Sequence, residues 1–365
     1  MNISKFAKTT AASIALLSAS ASAEVSLSGF ASINAGKVLN GSGVEHFGVE
    51  PSFLADYPNV SAYKEEWDLA PESLFGLQIS ADLSEGLSAT AQIVGRGVDD
   101  FEPNFEWAYI SYEFNDNWTV QAGKKRLPLF YYSDFFDVGY AYVWMRAPAD
   151  NYTWQIFNYN GVNALYSGDI GDWSIATNIY LGREDDKENT LLGDFFFGET
   201  TREIWKDIVG GVVNISKDWL EVRLTHMQYT NERYIGAEQT TWGGSNERDG
   251  KFFGLAFNLN FDDWFILTEM SRLDLEFDGN LDTQMLTFGY RVNEFTPFIS
   301  YSSMEQKGDG VVDGENHNTT SIGVRWDFHS SAAFKVQFDK VKDESYEYAV
   351  AGDSDALTFG IDLVF

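Results

Sequence analysis

The sequence predicts an all-β fold, a transmembrane antiparallel up-and-down β-barrel of about 16 strands, and three observations predict it. Apolar and polar residues alternate with period two in segment after segment from Glu24 to Phe365. Outside an N-terminal leader, no stretch approaches the roughly 18–20 continuous apolar residues that a spanning helix requires. Short Asp/Asn/Gly turns take turns with long, polar, acidic connections, which is the pattern of a barrel with tight turns on one side and loops on the other.

At the front, residues 1–23 carry Lys5 and Lys8, an apolar run from Ala11 to Leu17, and Ala21-Ser22-Ala23, a small-residue cleavage pattern. They are expected to be a cleaved signal peptide, leaving 24–365 as one barrel domain. Length alone would suggest two or three soluble domains at ~100–200 residues each. Yet no Pro/Ser linker, composition break or charge block divides the chain.

Cys is absent, which removes disulfides and thiolate metal sites, and only four His are present. The formal charge of −30 excludes nucleic acid as a partner, and losing Lys5 and Lys8 with the leader deepens it. Such a charge marks disorder when apolar content is low, but 44% of residues are hydrophobic and 16% aromatic, so the chain folds with its acids in water.

The strands are expected at 24–39, 73–83, 87–96, 105–114, 118–126, 160–169, 173–183, 207–216, 219–230, 251–261, 264–275, 283–292, 296–304, 318–328, 332–342 and 355–365. Near the front, Phe75, Leu77, Ile79 and Ala81 alternate with Gly76, Gln78 and Ser80. At the end, Leu357, Phe359, Ile361, Leu363 and Phe365 alternate with Thr358, Gly360 and Asp362. A soluble sandwich would alternate too, so the strand ends decide. Four short turns lead directly into Trp: Asn115-Asp116-Asn117-Trp118, Ile170-Gly171-Asp172-Trp173, Lys217-Asp218-Trp219 and Asp262-Asp263-Trp264. An indole has an apolar body and a polar N–H, so Trp recurring at one edge is what an interfacial girdle needs. An even strand count lets the first and last strands pair, so that no backbone edge meets lipid. A barrel of this size leaves an aqueous lumen, and Ser, Thr, Gln, Asn, Gly and charges on the second face cannot pack a dry core.

With these strands, turns and the terminal Phe365, the mature chain resembles the Gram-negative general porin superfamily over its whole length. The resemblance implies an outer-membrane location, a C-terminal aromatic (Phe365) read by the barrel assembly machinery, contact with lipopolysaccharide, and a homotrimer. It also implies a third loop folded into the barrel as a constriction. The connection at about 127–159 is long and rich in Tyr, Phe and Trp, and burial against an inner wall explains that composition.

Extending the alternation places Arg96, Lys125, Arg223, Arg291, Arg325 and Lys335 on the lumen wall, because the lipid face cannot hold them cheaply. If the loop returns inward, Asp134, Asp137 and Asp150 are expected to face some of these cations across the narrowest section. A transverse field there would orient dipolar solutes. The other role open to the same charges is to pair locally and hold loop and barrel in shape. The acid excess favours weak cation preference.

The expected function is passive diffusion of small hydrophilic solutes and ions. The alternatives are a substrate-selective channel and a non-conducting receptor or adhesin barrel. No phosphate-type basic ladder and no aromatic slide for maltodextrins is evident. No cofactor or metal is expected beyond divalent cations held loosely at Glu184-Asp185-Asp186, Asp343-Glu344 or Asp353-Ser354-Asp355, which lack EF-hand spacing. A surface hydrolase finds poor candidates: His226 is placed near an outer strand end, His46 and His317 in loops and His329 in a turn, without a G-x-S-x-G elbow.

Overall fold

A computed structural model of the chain describes residues 24–45, 48–308, 314–345 and 351–365. The expected signal peptide 1–23 and His46 lie outside the described residues. Sixteen long strands form the barrel: β1 (Val25–Gly41), β2 (Leu74–Ser84), β3 (Leu87–Arg96), β4 (Pro103–Glu113), β5 (Trp118–Arg126), β6 (Asn158–Ile170), β7 (Trp173–Asp186) and β8 (Thr201–Lys217). They continue as β9 (Leu220–Ile235), β10 (Arg248–Asn260), β11 (Trp264–Leu275), β12 (Gly279–Tyr290), β13 (Phe295–Lys307), β14 (Asn316–His329), β15 (Ala332–Asp343) and β16 (Ser354–Val364).

Each strand pairs antiparallel with its sequence neighbours, and β1 pairs with both β2 and β16, which closes the sheet. Closure completes at the last residue, where Phe365 N donates to Gly29 O at 3.0 Å and Gly29 N donates to Phe365 O at 2.8 Å. Every strand therefore has two partners, which is what a backbone needs where lipid offers no hydrogen bonds.

All sixteen expected strands are present, but several run further on the long-loop side. β8 begins at Thr201 instead of 207, and β12 at Gly279 instead of 283. In β8 a register break between Lys206 and Val209, with Asp207 at φ 52°, interrupts the period-two pattern that would have revealed the extension. Beyond the break, buried charge replaces buried hydrocarbon: Glu203, fully buried, accepts from Arg233 at 2.8 Å and from Asn231 at 2.8 Å.

The outward face is apolar and exposed, as at Phe75, Ile79, Ile110, Ile179, Leu224, Phe253 and Ile299. The largest apolar cluster lies inside the ring. It joins Phe130, Tyr132, Trp144, Tyr152 and Trp154 of the connection 127–157 to inward residues such as Tyr180, Trp205, Met227, Phe252, Met285 and Phe298. The first long connection, 42–73, also packs inward. Its small hairpin Phe53–Asp56 and Ser61–Tyr63 buries Phe53 and Tyr63 against Val38 and Ala356. The third loop alone was expected to do this.

Candidate pore lumen

From β2 to β7 the inner wall is built of amides and hydroxyls. Ser80 and Thr90 lie 3.1 Å apart, Gln92 donates to Gln78 at 3.2 Å, and Asn163 donates to both Gln121 and Asn178 at 3.2 Å. Pairing register aligns these side chains on one face, since Gln78 is opposite Gln92 and Gln121 opposite Asn163. This face is hydrophilic without being strongly charged.

The connection 127–157 crosses to the other side of the ring. Trp144 Nε1 donates to Thr287 Oγ1 of β12 at 3.0 Å, and Met145 N to Gln337 of β15 at 2.9 Å. Arg146 binds Asp339 of β15 at 2.7 Å, Thr358 of β16 at 2.8 Å, and Glu72 at the foot of β2. Tyr131 N and the Tyr152 hydroxyl donate to Glu269 of β11 at 2.7 and 2.8 Å. Burial holds the Tyr152 and Tyr142 phenols well above their ordinary pKa, so both remain neutral donors. Gly139 lets the loop meet the wall, because a Cβ there would collide with Asp362 and Ser32.

The charges expected at the constriction separate into different roles. Arg96 and Arg126 each donate to Asp137 at 2.6 Å and also engage Glu106, at 2.7 and 3.2 Å, in a four-residue buried knot. Asp137 thus touches Arg96 directly, with no aqueous gap between them. Asp150 pairs with none of the six wall cations named from the sequence. It accepts from Ser302 at 2.6 Å and lies 2.6 Å from His317 Nδ1. His317 is itself a buried residue of β14 and not a loop residue. The seryl hydroxyl sits on the carboxylate and not on the imidazole Nε2, so this is no hydrolytic triad. His226 is exposed on the outer face of β9, and His329 closes β14.

Lys335, 1% exposed, donates to Gly139 O at 2.7 Å and Trp144 O at 2.6 Å, and lies 2.8 Å from Asp362. Arg223 donates to Pro128 O at 2.7 Å, and Arg325 to Tyr140 O and Tyr142 O at 2.7 and 2.9 Å. These cations hold the loop. Asp134 differs: it is exposed and within electrostatic reach of Lys125 and Tyr109 on the wall. The Lys125 ammonium lies 4.0 Å over the Tyr109 ring.

Arg291 lies just past β12 at the short-turn mouth and itself holds none of the loop. There a cavity of about 440 Å³ opens beneath Tyr131 and Tyr142, bordered by Trp219, Glu221, Asn258 and Arg325. Trp118, Trp173 and Trp264 stand at strand starts on that same side. Trp219 precedes β9 and also borders the cavity. Among the described residues, no three His, Asp or Glu side chains converge to hold a metal ion.

A closed ring of antiparallel strands with a lipid-type exterior, a polar inner face and a loop bound across the lumen is the architecture of a membrane channel. In sequence, the Gram-negative porin family matches residues 9–364. The chain belongs to the Gram-negative porin family.

Porins are channels of the Gram-negative outer membrane and not enzymes, which fixes this porin's location and its coarse role as a diffusion channel. No curated protein matches it in sequence. Solved structures share its fold at low identity. A loop-deletion mutant of OmpT from Vibrio cholerae matches with TM-score 0.61 and 12% identity, over 94% of this chain and 100% of that one. The DcaP channel of Acinetobacter baumannii matches with TM-score 0.61 and 9% identity, over 94% and 97%. Salmonella typhi OmpF, solved with daunomycin, matches with TM-score 0.58 and 13% identity, over 94% and 98%. One solved form of Vibrio cholerae OmpT is a trimer.

Of the residues that organise this lumen, sequence reasoning missed Glu72, Glu106, Arg126, Asp339 and Asp362. Arg126 and Glu106 carried a signal: strict alternation turns both toward lipid, and a charge placed there is a reason to suspect a local break. The β3–β4 register does shift between Gln92 and Ile93, beside Glu106.

Proposed function

We propose that this porin passes small hydrophilic solutes and ions passively, with weak cation preference, through the gap between loop residue Asp134 and the β4–β5 wall at Tyr109 and Lys125. One observation carries this reading. The cations Arg96, Arg126, Arg146 and Lys335 are each neutralised by a buried carboxylate, whereas Asp134 is exposed and forms no ion pair among the described residues. Asp137 and Asp150 act as tethers of the loop. A homotrimer, with the outward Trp residues at the lipid interface and Phe365 as the assembly signal, completes the proposal.

The test is single-channel recording in planar bilayers under a salt gradient, comparing the mature chain with Asp134→Asn. Stable conductance steps are expected, with a cation-selective reversal potential that moves toward zero in the variant. An unchanged reversal potential would place charge control elsewhere in the lumen. A correctly folded barrel without conductance would overturn the diffusion reading in favour of a receptor or adhesin.

A further inference from the structure

Among the charges that border the cavity at the short-turn mouth are one acid and one base of opposite sign that no ion pair compensates, beside the exposed Asp218. On one side is Glu221 of β9, half-buried, whose carboxylate accepts only a neutral hydrogen bond, from the Tyr131 hydroxyl at 2.6 Å. On the other is Arg291, half-buried, whose Nη1 donates to Phe261 O at 2.7 Å and Asp262 O at 3.3 Å and whose Nη2 donates to Asn260 Oδ1 at 2.7 Å. Its guanidinium also stacks 4.9 Å over the Phe265 ring. Every one of these partners is neutral. Among the described residues neither group has a salt-bridge partner, although Arg325 nearby is paired with Asp327 at 2.7 Å. Arg291 is therefore fixed in place with its charge unspent, a ready receiver for a carboxylate.

The register gives the spacing. Glu221 is directly opposite Asn258 on β10, and the guanidinium is tied to Asn260, two residues further along that strand. One strand across and two residues along amounts to roughly 8 Å. A zwitterionic α-amino acid separates its ammonium and carboxylate by roughly 3 Å, and a charge-assisted contact at each end adds roughly 2.8 Å. The sum is close to that gap. The remaining lining sets Phe265, Leu267 and Trp219 beside hydroxyls and two further acids, Asp218 and Asp327, with the Asn258 and Asn260 amides between the charges.

From this geometry we infer that the short-turn mouth is a binding site for zwitterionic α-amino acids. Glu221 receives the ammonium and Arg291 the carboxylate. The short-turn side is the periplasmic side of such barrels, so a permeating solute meets the site last on its way in. The inference rests on the channel reading for how the solute arrives, but binding itself does not require conduction.

The test uses the refolded full mature barrel in detergent and saturation-transfer NMR with three probes: L-phenylalanine, phenethylamine (no carboxylate) and 3-phenylpropionate (no ammonium). Phenylalanine is expected to bind roughly tenfold more tightly than either fragment, the scale of one charge-assisted contact. Glu221→Gln should abolish its advantage over phenylpropionate, and Arg291→Gln its advantage over phenethylamine. Arg291→Lys should keep most of the latter, and heat-modifiable gel migration shows that each variant is folded. Equal binding of all three probes, or advantages that survive the two charge-removing variants, would overturn the site. Parallel bilayer recordings separate the two ideas: a barrel that binds but never conducts defeats the channel reading alone, and one that conducts without binding defeats only this inference.

Discussion

At the scale of single residues, the lumen shows how a membrane protein uses charge as fastening. Lys335 is nearly inaccessible, and its three contacts tie two loop carbonyls and Asp362 together. Removing one partner of a buried pair leaves the other charge desolvated, which costs about 3–5 kcal/mol. Lys335→Met should lower stability by about that amount, read as a shift in the urea midpoint of the barrel refolded in lipid vesicles; a shift near zero would mean that Asp362 finds water or another donor. Alternation assigns Lys335 to the lumen face, because it fixes which face a strand residue takes. It could not say that Lys335 would meet Gly139 and Trp144, since contacts nearly two hundred positions apart depend on where a loop lands and not on any local pattern. Asp150 makes the same point from the other side: the sequence singled it out in the loop, but its partners, Ser302 and His317, come from distant strands.

At the scale of elements, the strands were readable because each carries its own period-two signal, and most of the loops, which lack one, were not. The clearest case is the first long connection, 42–73, whose inward packing rests on Tyr57, Tyr63 and Glu72 scattered among polar residues. Its tip is held to the rim three strands away by a hydrogen bond from the Tyr57 hydroxyl to Glu315, just before β14. Burial pushes the Glu315 carboxyl up to about 7, partly offset by the nearby His317, with Tyr57 and Asp343 also facing it. The folded value lies above the unfolded one of 4.5. The stability from this group is therefore fully present below about pH 4.5 and is lost as pH rises through about 7. The loop should accordingly be held more firmly in acid. Protection factors for amide exchange in residues 53–63, the rates taken relative to intrinsic exchange at each pH, are expected to be larger at pH 5 than at pH 8, and Glu315→Gln should remove most of that difference. A pH effect undiminished in the variant would assign it to another group.

At the scale of the whole molecule, the ring and its contents have different origins. The ring follows from hydrogen-bond necessity: sixteen strands, each with two neighbours, closed by the pairing of Gly29 with Phe365. The contents follow from an aromatic loop and a set of buried ion pairs and hydrogen bonds that join it to Arg96 of β3 and Arg126 of β5 on one side and to β11–β16 across the ring. A single-layer sheet rolled into a tube has little material to resist being flattened sideways. The tethered loop spans that tube and acts as a cross-strut, so the roundness of the aperture is set by side-chain fastenings as much as by the sheet. Cutting one strut end, as in Arg146→Met, should let the cross-section breathe, which would appear as excess low-frequency noise on the open-channel current with little change in its mean. A current as quiet as that of the unaltered chain would show that the wall is stiff on its own.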